Sequence, residues 1–406
     1  MIRPALGLAA AAALMTAGAA AAQPVTLTFW TEMQEGQLDV VLAREFDEKN
    51  EDITVEIRTV PFAEMIAESL RAFATRTNPD VISIDNPDFP AFSSRGAFLA
   101  IDDKVAASEV IDPESLFPGP RRSVTWDGKM YGVPRAANTI ALYYNRDMFR
   151  EKGLDPDNPP KTWDELLSAA RTLSDPARNV YGIAFSAVAN EQGTFQFLPW
   201  AQMGGGDYDN IAAPGAVRGL EIWKTLIDEG LASPDTLTRG QFDSTATFNQ
   251  GNAAMAISGP WELNRMAASA QFDWGVALLP TPEPDSPRSS ALGDMNYAVF
   301  ANSPNPDAAF RLIEYMVSQQ HRAWAEFSRM PPRSDVELGS TGNPRIDAAA
   351  KVFAEQLGYA RNRGPHPEWP RISRIIWTAI QDALTGQSTP QAALEEAAAD
   401  IARIVN

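Results

Sequence analysis

Asp85 and Asn86 stand directly after the apolar run Val81-Ile-Ser-Ile84 and before Pro87. A carboxylate and an amide at the carboxyl end of a parallel strand occupy the place where open α/β sheets hold small ligands. Both groups can exchange paired hydrogen bonds with a bound molecule. Trp200 and Trp261 follow apolar runs, and an indole on a loop there would offer a flat apolar face for stacking. Groups that break covalent bonds are sparse by comparison. The chain has no cysteine and two histidines, His321 and His366. It carries no His-Glu-x-x-His zinc sequence, no Gly-x-Ser-x-Gly elbow and no Walker sequence. Gly204-Gly-Gly206 lacks the lysine and Ser/Thr of a phosphate loop, and Asp155-Pro-Asp157-Asn158 and Asp207-Tyr-Asp209-Asn210 lack the distal glutamate of a calcium loop, so all three read as turns. No cofactor or metal is expected. Acidic residues are plentiful, so composition leaves open a secreted hydrolase working through two carboxylates.

The elements that must position these groups alternate in type. Val25-Thr-Leu-Thr-Phe29 and Ile53-Thr-Val-Glu-Ile57 alternate apolar and polar residues and predict strands, with helical spacing between them from Leu38 to Phe46. Strand, helix, strand is the crossover unit of a parallel sheet. A helix is predicted from about Phe62 to Thr75, and a buried strand over 80–84. Asp127-Gly128 turns into a short strand, and a second strand ends at Tyr143-Tyr144. Thr162 with Glu165 forms a capping box that opens another helix. Tyr181–Phe185, Ala253–Ile257 and Asn296–Phe300 read as further strands. Helices follow over 307–320, 369–384 and 390–404, the last opened by Thr389-Pro390. The fold class is α/β. At 406 residues the chain exceeds what a single core usually supports, so two lobes are expected.

Compartment is legible at the start of the chain. Arg3, an Ala/Leu-rich run from Ala5 to Ala20 and Ala20-Ala21-Ala22 before Gln23 form a signal peptide over residues 1–22. Without cysteine at the cleavage point there is no lipid anchor, and without cysteine anywhere the fold must rest on its core. The net charge of −18 disfavours nucleic acid and anionic membranes.

Six segments in order then resemble the family-1 extracellular solute-binding proteins: Pro79–Asp85, Leu99-Ala-Ile-Asp102-Asp103, Gly128-Lys-Met-Tyr-Gly-Val-Pro134, Phe248–Met255, Pro306-Asp-Ala-Ala-Phe310 and Gly386–Leu394. Within the family the likeness is to binders of maltose, trehalose, related glycosides and glycerol derivatives. The resemblance implies a two-lobed periplasmic-binding-protein fold of type II, with the ligand in a cleft between lobes joined by hinge crossings. Lobe one would comprise residues 23–134 and 298–345, and lobe two residues 135–297 and 346–406. It implies a periplasmic, monomeric, non-catalytic receptor that delivers a carbohydrate to the permease subunits of an ABC importer. A binder of glycerol phosphate or another phosphorylated polyol is the alternative within the family, motivated by Arg333 and Arg363. By resemblance, ligand contacts fall on Glu35 in the loop after the first strand, on Asp85, on Asn138 in the crossover, on Gly293 and Asp294, and on Arg363, with His366 on the same loop. Met295 stands where relatives often carry an aromatic residue, and Arg333 reads as a structural hinge residue.

Overall fold

In the strand Val25–Thr31, Leu27 and Phe29 are wholly buried, and Ile53–Thr59 pairs with it in parallel from Val25 opposite Ile53 to Thr31 opposite Thr59. The computed structural model of the chain, which describes residues 24–405, joins these strands through the helix Leu38–Lys49. The signal peptide expected over 1–22 lies outside the described residues. The helix Phe62–Thr75 leads to Val81–Asp85, whose five residues are all buried. Cover on both faces is why that strand reads as a continuous apolar run rather than an alternation. Met295–Val299 lies antiparallel beside it, placing Met295 opposite Asp85, and Val133–Pro134 completes the five-stranded sheet.

A second sheet sets Ala141–Asn145 between Met255–Ser258 and Trp274–Ala277, antiparallel to both. Helices surround it, among them Trp163–Leu173, which opens on the capping box of Thr162 and Glu165. Tyr181–Phe185, expected as a strand, makes only isolated bridges, Tyr181 to Ala253 and Ala184 to Ala256. Gly182 is pressed so closely on the helix that a Cβ would lie 2.4 Å from the Ala170 carbonyl oxygen. The Ile183 N–H turns instead to the Leu231 carbonyl, and regular pairing fails between the bridges.

Each sheet has its own core. Phe29, Ile84, Phe98, Tyr297 and Ile313 build one. Trp163, Trp200, Trp223, Trp369 and Leu394 build the other, extended by a cluster around Tyr143, Trp274 and Phe353. The helix Gln320–Phe327 is shared: Ala323 packs in the first core, Trp324 in the cluster around Tyr143. The passage between lobes therefore falls inside the segment 298–345. Three crossing segments meet there side by side, because Ala137 bridges Met330 and Asn138 bridges Gly293.

Candidate ligand-binding site

The carboxyl ends of the first sheet's parallel strands face a cavity of about 420 Å³ whose floor is made by the three crossings. That size falls in the range of small-ligand sites. Glu32 and Asp85 reach it from the first lobe; Arg135, Asn138, Asp294 and Arg329 come from the crossings; Glu191, Phe195, Trp261 and Arg363 line it from the second lobe.

Arg135 follows Pro134 into the floor and is 4% exposed. Its Nε donates to Asp294 Oδ1 at 2.8 Å, and its Nη1 donates to Glu32 Oε1 at 2.9 Å and to Asp39 Oδ2 at 3.0 Å. Burial works against its charge, but Asp294, Asp39 and Glu32 outweigh that and raise its pKa well above the usual arginine range. Glu32 is pushed up by burial and by Asp39, against the pull of Arg135. Asp294 has φ +89°, a left-handed conformation uncommon for a residue with a side chain. Its carboxylate is held by Arg135, by Asn138 Nδ2 at 3.0 Å and by the Met295 N–H at 2.8 Å. Burial alone would raise its pKa, and Arg135 and Arg329 hold it below the ordinary value.

Arg363 forms the second buried ion cluster. It grips Asp85 with both terminal nitrogens, at 3.0 and 2.8 Å, and donates to Glu191 Oε1 at 2.5 Å. The fork geometry of guanidinium on carboxylate is the strong form of this pair. Asp85 ends a strand of the first lobe, whereas Glu191 opens the second-lobe helix Glu191–Met203, capped by Asn190. The cluster thus ties the two lobes at the back of the cleft. The guanidinium lies 4.6 Å from the centre of the Phe195 ring, a cation–π contact. Burial raises the Glu191 pKa, opposed by Arg363, and burial with Glu191 and Asp85 raises Asp88 well above its ordinary value.

Among the described residues, three that line the cavity each carry one buried side-chain atom with no hydrogen-bond partner: Asn138 Oδ1, Trp261 Nε1 and Arg329 Nε. Such groups are costly unless something satisfies them. Aromatic surface lies beside them. Phe195 and Trp261 have ring centres 6.3 Å apart, and Phe62 and Phe242 line the same space from opposite lobes. A Cβ on Gly259 would strike the Trp261 ring at 2.0 Å, so glycine is what lets the indole lie there.

Six of the residues singled out in the sequence converge on this cavity: Asp85, Asn138, Trp261, Gly293, Asp294 and Arg363. Four are placed elsewhere. The chain turns at Gly36, φ +80°, leaving the Glu35 side chain 73% exposed and forked on Arg44, and Glu32 occupies the cavity wall instead. Asn86 is buried and donates to the Asp294 carbonyl at 3.0 Å, bracing the crossing from behind. Trp200 lies inside the helix Glu191–Met203 rather than on a loop, fully buried and stacked on Trp163 with ring centres 5.2 Å apart. His366 Nδ1 accepts from the Glu368 N–H at 3.0 Å and so organises the turn before the helix Trp369–Leu384. Arg333 pairs with Asp335 and donates to the Val110 carbonyl, a structural tie. Glu32, Arg135, Glu191, Phe195 and Arg329 were not singled out. Glu32 alone carried a usable signal, since it directly follows the strand Val25–Thr31 in the loop that also holds Glu35.

Comparison with known proteins agrees with this architecture. The family model of the bacterial extracellular solute-binding proteins matches residues 12–323. The galactooligosaccharide-binding protein of Bacillus subtilis is 26% identical over 390 residues, covering 92% of this chain and 87% of the relative. The sn-glycerol-3-phosphate-binding periplasmic protein UgpB of Escherichia coli is 24% identical over 436 residues, covering 98% and 96%. Among solved structures, an ABC transporter solute-binding protein from Thermotoga lettingae, bound with α-D-tagatose, superposes with a TM-score of 0.82 at 28% identity, covering 94% of this chain and 100% of that one. A match across most of the chain, with two lobes and a cleft between them, places this chain in the family of bacterial extracellular solute-binding proteins.

Proposed function

We propose that this protein is the extracytoplasmic receptor of an ABC importer, capturing a carbohydrate or polyol between its lobes and releasing it unchanged to the permease. The observation that carries this reading is a cavity lined by the Phe195 and Trp261 rings together with the polar side chains of Glu32, Asn138, Asp294 and Arg329. A hydroxyl both donates and accepts, and the C–H face of a sugar packs on a ring. Relatives named for galactooligosaccharide and tagatose support the same ligand class. Groups from both lobes line the cavity, so a ligand touching both favours the closed arrangement by its differential affinity. Export as a cleaved, monomeric, unlipidated periplasmic protein belongs to the same proposal.

A phosphorylated polyol is less well served. Arg363 is already held by two carboxylates, Arg333 does not line the cavity, and a phosphate on Arg329 would face the carboxylates Glu32, Asp85, Glu191 and Asp294 in the same cavity. Hydrolysis is also poorly served, because Glu32, Asp85, Glu191 and Asp294 are each tied to an arginine. The test is thermal unfolding of residues 23–406 against mono- and disaccharides, polyols and glycerol phosphates, with the ligand assayed afterwards. At 100 times its dissociation constant a neutral sugar should stabilise by about 2.7 kcal/mol and be recovered intact. A shift with phosphorylated compounds alone, or appearance of a cleavage product, would overturn the proposal.

A further inference from the structure

Arg329 differs from the other two cavity arginines. Arg135 and Arg363 are ion-paired with carboxylates at 3.0 Å or less. Among the described residues, the Arg329 side chain, which lines the cavity and is only partly buried, has no ion pair within 4 Å and no hydrogen bond. Its backbone, by contrast, is pinned. Ser328 ends the helix Gln320–Phe327 in the left-handed conformation at φ +53°, the Arg329 N–H donates to the Ala323 carbonyl at 2.9 Å, and the Met330 carbonyl accepts from Ala137 at 2.8 Å across the hinge. A rigid backbone therefore presents an uncommitted guanidinium at the cavity floor. Burial and the neighbouring Arg135 charge depress its pKa despite the attraction of Asp294, Glu32 and Asp39, so those acids do not fully compensate it.

The surrounding charge defines what can complete it. Four carboxylates, Glu32, Asp85, Glu191 and Asp294, line the cavity with three arginines. A multiply charged anion would meet this acidic excess. A cationic amino group set against Arg329 would meet like charge in a low-dielectric space. Neutral oxygen acceptors meet neither penalty and satisfy the guanidinium donors.

We propose that Arg329 is a specificity-determining residue of the cleft: its guanidinium donates to hydroxyl oxygens of an uncharged sugar and rejects the amino-substituted form that would set a cation there. The inference rests on the carbohydrate reading above. It is tested by titrating wild type, Arg329→Gln and Arg329→Lys with the best-binding sugar of the panel, its amino-substituted forms and its corresponding sugar acid. Arg329→Gln should lose about 10- to 100-fold in affinity for the neutral sugar, the range for a hydrogen bond to a charged group. It should also narrow the gap between the neutral and amino-substituted sugars. Its ligand-free unfolding midpoint should equal or exceed that of wild type, because the charge removed is partly desolvated and has no ion pair. Arg329→Lys, which keeps the charge and loses the fork, should bind the sugar less well and still discriminate against the amino form. Unchanged affinity and selectivity in Arg329→Gln would overturn the assignment while leaving the receptor function standing. So would a lowered ligand-free midpoint with selectivity unchanged, which marks a structural residue. Preference of wild type for the sugar acid would overturn the claim of an uncharged ligand. Wild type binding no member of the panel would remove the carbohydrate reading and this inference together.

Discussion

Gly293 shows how little space separates a residue that works from one that does not. It lines the cavity in the crossing paired with Asn138, and a Cβ there would lie 2.1 Å from Asn138 Oδ1 and 3.0 Å from the Phe195 ring. Glycine thus lets the crossing pack directly on the Asn138 amide oxygen and the Phe195 ring. Gly293→Ala should cost at least about tenfold in ligand affinity and about 1 to 3 kcal/mol in stability, the usual range for overpacking. Calorimetric titration beside urea unfolding measures both. At this scale the sequence was partly legible. Asp85 could be found because a carboxylate at a strand end has a known place in an α/β sheet. Arg135 and Arg329 could not, since nothing in a chain's order reveals that one cleft arginine will form ion pairs with three carboxylates and another, among the described residues, with none.

Among the elements, the helix Glu191–Met203 matters most, supplying Glu191 and Phe195 to the cleft. Its residues from Gly193 to Met203 are all buried and it contains Pro199. A helix covered on every side has no polar face, so the periodicity that announces a surface helix is absent. Its first residue meets Arg363 from the segment before the helix Trp369–Leu384, and Arg363 meets Asp85 from the opposite lobe. Removing the middle of such a cluster leaves two buried carboxylates facing each other. Arg363→Ala should therefore lower the stability of the ligand-free protein by about 3 to 5 kcal/mol. The exposed pair of Glu35 with Arg44 provides the contrast, and Glu35→Ala should change neither the urea midpoint nor ligand affinity. A comparable loss in both variants would refute the distinction between the two sites.

For the whole molecule, burial of acids against a background charge of −18 sets the pH response. Glu32, Asp88, Glu191 and Glu262 are all raised, chiefly by burial. Glu262 lies in the turn under Trp261, is 0% exposed, and reaches about 7 from an ordinary 4.5, although Arg265 pairs with it and Arg329 also attracts it. Between those values the folded state binds more protons than the unfolded one. Unfolding free energy must then fall as pH rises through that window. For Glu262 alone the full effect is about 3 kcal/mol. Carboxylates lowered by surface partners, such as Glu45 and Asp335, act in the opposite sense only at more acid pH. Ligand-free protein should be more stable near pH 5.5 than near pH 8, and Glu262→Gln should flatten that slope. Denaturant midpoints across this range test it, and a rise in stability toward pH 8 would contradict the assignment.

Local pattern determined the parallel crossover unit, the Thr162 capping box, the terminal helices and the carboxylate at the end of Val81–Asp85, because propensity, caps and strand periodicity act over a few residues. The order of short segments carried the resemblance to a two-lobed receptor. Tertiary structure alone decided that Glu32 rather than Glu35 faces the cleft, that Trp200 is core, and that Arg363 is spent on Asp85 and Glu191 while Arg329 has no ion pair among the described residues. Those outcomes depend on which groups three distant crossings bring within hydrogen-bonding distance, and burial then fixes which charges are compensated.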